Sequence, residues 1–212
     1  MVSGEWLMKN QNLPFTISAK TPMRRYIIPS LVVVLILSGV GLYFFNQYWI
    51  HRYDDLIRRQ AGIYRLDSDL VWSIIYEETY FRKWKRGAAG EIGLMQVTPL
   101  VAREWAKETG MRELAKQVND DLDAVLLDPE RNIQIGCWYL EKMGEQYRGY
   151  PAENAMTLAA YNAGASRVEE WTKTDDPANL SEQEFIERIS IPSTKAYVSS
   201  ILERYRNVKS KK

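Results

Sequence analysis

Between Tyr26 and Ile50 the chain carries no charged side chain. That run restricts the possible folds more than any other feature. Its Ile27 to Phe45 core is rich in Leu, Val and Ile and at helical rise spans about 30 Å, the thickness of a bilayer's hydrocarbon layer. A helix apolar on every face suits lipid better than a soluble core with one wet side. Lys9, Lys20, Arg24 and Arg25 precede the run with only Glu5 against them, whereas Arg52 beyond it is offset by Asp54 and Asp55. The positive-inside rule therefore predicts residues 1–25 as a short basic cytoplasmic N-terminus, 26–45 as a single transmembrane helix, and the remainder on the outer face of the cytoplasmic membrane. The run exceeds an ordinary signal-peptide core, and neither an Ala-x-Ala-like site nor a cysteine follows it, so an uncleaved anchor is expected. Residues 46–66 read as a short amphipathic stalk, with Tyr48 and Trp49 marking the interface.

Beyond the anchor, the chain is long enough for one sizeable core. Lys and Arg total 28 against 27 Asp and Glu, so no net field draws nucleic acid, and no nucleic-acid partner is expected. His51 is the only histidine and Cys137 the only cysteine. Ser-His-Asp, Cys-His and histidine-ligated zinc chemistry thus lack their central residue, and no metal or other cofactor is expected. Cys137 reads as a small core residue. Acid-base chemistry must come from carboxylates, Tyr, Lys or backbone groups.

The soluble part reads as helices. Asp67 or Ser68 can cap a helix in which Leu70, Val71, Ile74, Ile75 and Phe81 recur at helical spacing before the Gly87 to Gly93 region. Thr98-Pro99 starts a second helix that runs through Glu108 and closes at Gly110, and Asp128-Pro129 starts a third that runs to about Tyr147. Further helical patterns cover about 152–163, 165–172, 181–188 and 193–207. No long alternating strand or Asn-Gly hairpin appears, so the domain, 67–207, is expected to be all-α, with at most a short ribbon. Residues 173–180 and the basic tail 208–212 read as solvated loop and frayed end.

Glu78 follows Val71, Ile74 and Ile75 at offsets of seven, four and three, so it projects from the apolar stripe, while Glu77 lies about 100° away, near the edge. A carboxyl in an apolar wall has its charged form disfavoured and can stay protonated near neutrality as a general acid. Geometry alone equally allows a structural ion pair with Arg82 one turn on.

Four blocks add to this. They are Glu78-Thr79, Gly90-Glu91-Ile92-Gly93-Leu94-Met95-Gln96, Asp128-Pro129-Glu130-Arg131-Asn132-Ile133 with Gly136 and Tyr139-Leu140, and Ala160-Tyr161-Asn162-Ala163-Gly164. In this order the chain resembles the Slt-type lytic transglycosylase family over nearly all of residues 60–207. The resemblance implies a lysozyme-like helical domain acting on peptidoglycan glycan strands, in which Glu78 is the sole acid/base. It first protonates the glycosidic oxygen after N-acetylmuramic acid, then takes the proton of that sugar's C6 hydroxyl, leaving a 1,6-anhydro end without consuming water.

The resemblance further implies substrate-binding roles for Thr79, Gly93, Leu94, Met95, Gln96, Tyr161, Asn162 and Tyr197. Gly93 to Gln96 would border the sugar cleft, Met95 by apolar contact and Gln96 by its amide; a glycine-rich turn with Met95 in the core is the plainer account. Tyr161 and Asn162 would line the cleft, although as a bare motif the segment equally reads as a helix C-cap. Phe185-Ile186-Glu187 and Tyr197-Val198 match family elements at the same mutual spacing and imply that the Tyr197 hydroxyl lies near Glu78. Thr79 stands where Ser is usual, Glu91 where Ala is common, Ser193 where Glu is usual, and Pro192 is displaced; these departures bear on substrate preference more than on reaction class. Two other readings remain: a lysozyme-type hydrolase on the same scaffold, and a non-catalytic wall-binding subunit of an envelope machine.

Overall fold

The computed structural model describes residues 24–110, 116–118, 120–174 and 176–211. The basic N-terminus expected in the cytoplasm lies almost wholly outside them. The chain divides into two compact units, residues 1–46 and 47–212.

The first unit holds most of α1 (Arg24–His51), a helix of 28 residues with Pro29 near its start, where few backbone bonds are lost. At 1.5 Å per residue it is about 42 Å long. Its most apolar window has a mean hydropathy of 2.4, and none of that window is buried. Leu35, Leu37, Leu42 and Phe44 are all more than 60% exposed, a surface that water does not tolerate along a whole helix.

The second unit is helical throughout. α2 (Asp54–Ile63) comes first. It differs from the expected stalk: Ile57 and Ala61 are fully buried and α2 packs on two core helices, so residues 54–63 belong to the domain. The amphipathic pattern was legible, but the surface that covers its apolar face was not.

α3 (Ser68–Thr79) starts on an Asp67 cap, whose Oδ1 accepts from the Asp69 backbone N–H at 2.9 Å. It buries Val71, Ile74 and Ile75 completely, each worth about 1.5–3 kcal/mol of apolar transfer. It ends sooner than its periodicity predicts. Tyr80 and Phe81 both adopt left-handed backbone, φ 51° and 59°, so the fully buried Phe81 reaches the core from outside the helix.

Residues 85–97 form a tight loop with single antiparallel bridges, Arg86 to Ile92 and Ile92 to Val97, which is all the ribbon seen among the described residues. α4 (Pro99–Glu108) and α6 (Pro129–Gly144) begin on the expected Thr98 and Asp128 caps. Between them lies α5 (Leu122–Leu127), too short for periodicity to reveal. α7 (Glu153–Ala163), α8 (Ala165–Thr172), α9 (Glu182–Arg188) and α10 (Pro192–Lys209) follow.

α7 is the centre. Ala155, Met156, Leu158, Ala159 and Ala160 are all fully buried, and the alanines let α6, α8, α9 and α10 approach closely. α10 lies against both α7 and α3. Its end is not frayed: Tyr205 and Lys209 bind the Asp67 carboxylate at 2.7 Å each, stitching the last turn to the start of α3. The segment 173–180, read as a loop, contains a 3-10 turn at Pro177–Asn179 and buries Leu180.

Candidate active site

Glu78 sits on the last turn of α3, partly buried. The hydroxyl of Tyr197, from α10, donates to its Oε1 at 2.9 Å. Burial pushes the Glu78 carboxyl up from 4.5 to about 7. The Tyr197 hydrogen bond and the Lys85 charge pull it back, and the Glu91 and Glu77 charges add a smaller upward push. Burial and the Glu78 charge hold the phenol of Tyr197 well above its ordinary value, so it remains a donor.

The neighbouring carboxylates are engaged elsewhere. Glu77 accepts from Ser200 Oγ at 2.6 Å and faces Arg204 at 3.5 Å. Glu91 folds back to accept from the Ala89 backbone N–H at 2.9 Å. Arg82, the alternative ion-pair partner, instead donates Nε to the Thr79 carbonyl at 2.8 Å, so the salt bridge that helical spacing allowed is not formed there. The early end of α3 explains this, because Arg82 no longer lies one helical turn above Glu78.

The 92–97 loop forms the adjoining wall. Thr79 Oγ1 donates within it to the Leu94 carbonyl at 3.0 Å and along α3 to the Ile75 carbonyl at 3.1 Å, while remaining buried. The Met95 N–H donates to Asn132 Oδ1 at 2.8 Å, and Asn132 Nδ2 donates to the Ile92 and Leu126 carbonyls at 2.8 Å each. Tyr161 Oη donates to the Met95 carbonyl at 2.8 Å. Gly93 (φ 82°) has no room for a Cβ, which would stand 2.2 Å from Asn132 Nδ2, and a Cβ on Gly136 would stand 2.4 Å from Met95 Sδ. Two glycines thus let the loop lie flat on α6.

The expected site residues therefore divide. Glu78, Tyr197 and Tyr161 are brought together, the Tyr161 phenol being raised by burial and then by the Glu78 charge. Leu94 and Met95 are fully buried, so the plainer account of Met95 as a core side chain is the one seen, and neither side chain faces solvent. The Gln96 amide donates to the Gly93 and Lys85 carbonyls at 2.8 and 3.2 Å, and Gln96 has a left-handed backbone, φ 48°. Asn162 is exposed, its Oδ1 accepting from Thr194 at 2.7 Å. Sequence reasoning passed over Lys85, whose ammonium donates to the Glu78 carbonyl, and Thr194. Nothing in their spacing marks them: Lys85 reaches back seven residues only because the chain turns left-handed at Tyr80 and Phe81, and Thr194 meets Asn162 across 32 residues of sequence.

Two cavities, of about 520 and 400 Å³, lie elsewhere: one beside His51, Asp54 and Trp72, the other beside Leu66, Leu140 and Thr157. Neither includes Glu78. The site's identity rests on its chemistry and not on cavity size.

A family model described as the transglycosylase SLT domain matches residues 55–183, more than half the chain. The soluble lytic murein transglycosylase of Escherichia coli (strain K12) is 28% identical over 150 residues, covering 71% of this chain and 22% of that protein. Membrane-bound lytic murein transglycosylase E of Buchnera aphidicola is 25% identical over 171 residues, covering 79% of this chain and 74% of that protein. Among solved structures, an inactive mutant of the lytic transglycosylase Slt from Pseudomonas aeruginosa superposes with a TM-score of 0.64 at 27% identity, covering 74% of this chain and 24% of that one. A complex of the 70-kDa soluble lytic transglycosylase with bulgecin A gives the same TM-score, 0.64, at 26% identity, covering 76% of this chain and 24% of that one. The chain thus spans under a quarter of the first soluble relatives' length; the residues matched by the family model include Glu78, the 92–97 loop and Tyr161. By this match, and by the all-helical lysozyme-like fold it shares with these structures, the chain belongs to the transglycosylase SLT domain family.

Proposed function

We propose that the protein is a peptidoglycan lytic transglycosylase that cleaves the β-1,4 bond between N-acetylmuramic acid and N-acetylglucosamine. The observation that carries this reading is the Glu78 carboxyl, raised to about 7 by burial and held by the Tyr197 hydroxyl. Such a group is substantially protonated at neutral pH and can give up its proton and take one back.

In the first step the Glu78 acid protonates the glycosidic oxygen as the C1–O bond breaks, with the 2-acetamido oxygen assisting at C1. In the second, the Glu78 carboxylate removes the C6 hydroxyl proton while O6 bonds to C1 and displaces the acetamido oxygen from it. The 1,6-anhydro ring closes, the acid is regenerated, and no water is consumed. One carboxylate suffices, in keeping with Glu77 and Glu91 being engaged elsewhere. Gly93 and Gln96 border the cleft; Thr79, Leu94 and Met95 shape it from behind, through the buried contacts that fix the loop. Tyr161 and Asn162 form the opposite wall, and Asn162, exposed, is the amide available to an N-acetyl group.

α1 anchors the protein in the cytoplasmic membrane through residues 26–45, with residues 1–25 inside and the catalytic domain on the outer, periplasmic or cell-wall, face. The charge asymmetry around the run supports this orientation, and relatives named membrane-bound support the anchoring.

Mass spectrometry of muropeptides released from purified sacculi by the full-length protein tests the activity. Products ending in 1,6-anhydro-N-acetylmuramic acid are expected. Reducing ends one water heavier would make the protein a lysozyme-type hydrolase, and binding without release would make it a wall-binding subunit.

A further inference from the structure

The loop that leaves the catalytic helix, Arg82-Lys83-Trp84-Lys85-Arg86, puts four cations around one tryptophan. Arg82, Lys85 and Arg86 bind the Thr79 carbonyl, the Glu78 carbonyl and Asp123. Trp84 is 56% exposed and Lys83 is exposed beside it. A single exposed indole is ordinary on any surface, and only its surroundings can give it a role.

What lies next to it indicates what that is. The Trp84 ring meets the Trp49 ring edge-on, with centroids 5.8 Å apart. Trp49 Nε1 donates to the Tyr80 carbonyl at 2.9 Å, and Arg52 lies 3.6 Å over the Trp49 ring while donating to the Phe81 carbonyl. The left-handed turn at Tyr80 and Phe81 is what frees these two carbonyls from the helix ladder. Trp49 in turn stands only four residues, at most about 14 Å of chain, beyond Phe45, where the apolar core ends. The short chain from Phe45 to Trp49 and the ring contact of Trp49 with Trp84 thus keep Trp84 within reach of the end of the apolar run. Tryptophan is favoured at that level, and cations within about 8–10 Å of anionic headgroups are attracted to them.

We propose that Lys83 and Trp84, together with Tyr48 and Trp49, form a membrane-interface patch that seats the loop after the catalytic helix on anionic lipid headgroups. The inference rests on the proposed anchoring. Its consequence is functional: Glu78 is six positions before Trp84, so its backbone lies at most about 22 Å from that of Trp84, and the enzyme addresses glycan near the bilayer.

The test uses the full-length protein in vesicles of phosphatidylcholine and phosphatidylglycerol, with bimane on a cysteine introduced by Trp84→Cys or, separately, Tyr48→Cys. Cys137 is fully buried and does not compete for the reagent. Headgroup-nitroxide lipids should quench both labels, the one at 84 by at least about twofold, and Lys83→Glu should weaken quenching at 84 in anionic vesicles. Quenching at 48 without quenching at 84 overturns the patch and leaves the anchor standing. Quenching at neither position overturns the anchor and the patch together. Insensitivity to Lys83→Glu overturns the headgroup contact.

Discussion

Tyr197 donates its hydroxyl proton to Oε1 of Glu78 over 2.9 Å, although 119 residues separate them. This bond favours the carboxylate, and burial of the same carboxyl favours the acid; burial is the larger effect, leaving the group near 7. At that balance one side chain can serve as acid in one step and base in the next. Packing of α10 on α3 sets the balance, so the chemistry is a product of the core.

Glu78→Gln keeps shape and hydrogen bonding but removes the transferable proton. Turnover of sacculi should fall by about 10²- to 10⁴-fold or more, since the neighbouring carboxylates Glu77 and Glu91 are engaged elsewhere. Glu77→Gln loses only its contacts with Ser200 and Arg204 and should retain most activity. Release of muropeptides at near-normal rate by the Glu78 variant, or inactivity of the Glu77 variant alone, would transfer the acid's role.

Tyr197→Phe should separate positioning from proton transfer. Loss of the bond removes support from the charged form, so the Glu78 carboxyl rises further and the alkaline limb of the kcat/KM profile moves to higher pH. The rate should drop about 10- to 100-fold, the worth of one hydrogen bond to a charged group. An unmoved alkaline limb would mean that Tyr197 does not act on Glu78.

Stability should depend on pH through the same group. The folded-state value, about 7, lies above the 4.5 of the unfolded chain, so the folded protein retains an extra proton between those limits. Its contribution is most favourable below pH 4.5 and is lost as pH rises through 7. Glu78→Gln, always neutral, should thus unfold at higher denaturant than the parent at pH 8, by on the order of 2–3 kcal/mol after allowing for solvent screening. The difference should vanish at pH 4. Equal midpoints at pH 8 would show that the carboxylate is well solvated in the folded protein.

Much of this arrangement was legible because its signals are local. The caps at Asp67, Thr98 and Asp128 mark helix starts by their own side chains, and the 3-4-7 spacing before Glu78 places it on the apolar stripe. The early end of α3 was not, since two left-handed residues, Tyr80 and Phe81, carry no glycine to announce them. They persist because Trp49 and Arg52 bind the carbonyls they free, and those partners come from another segment. The 54–63 segment was misjudged for a related reason: amphipathicity says that a face is covered, not by what. Side-chain roles in the 92–97 loop were the hardest to read, because sequence cannot tell whether Met95 turns toward a ligand or toward Gly136.

Asn132 offers the sharpest test of how that loop is held. It is fully buried, and its amide binds the Met95 N–H and the Ile92 and Leu126 carbonyls, two backbone groups of the 92–97 loop and one of α5. Asn132→Ala would leave the Met95 N–H and the Leu126 carbonyl without this partner in a space closed to water, while the Ile92 carbonyl keeps the Val97 N–H at 3.1 Å; at roughly 1–3 kcal/mol for each group left unpaired, the expected total is about 2–5 kcal/mol in urea unfolding. Asn132→Asp keeps an acceptor for the Met95 N–H but sets a carboxylate against two carbonyls, so it should be no more stable than the alanine variant. Both should lose activity more than a stability-matched substitution far from the loop, because the loop carries the Leu94 carbonyl that fixes Thr79 beside Glu78. A cost for Asn132→Ala under about 1 kcal/mol would mean that the loop is held chiefly by the packing of Met95 on Gly136, and Gly136→Ala would then become the more damaging change.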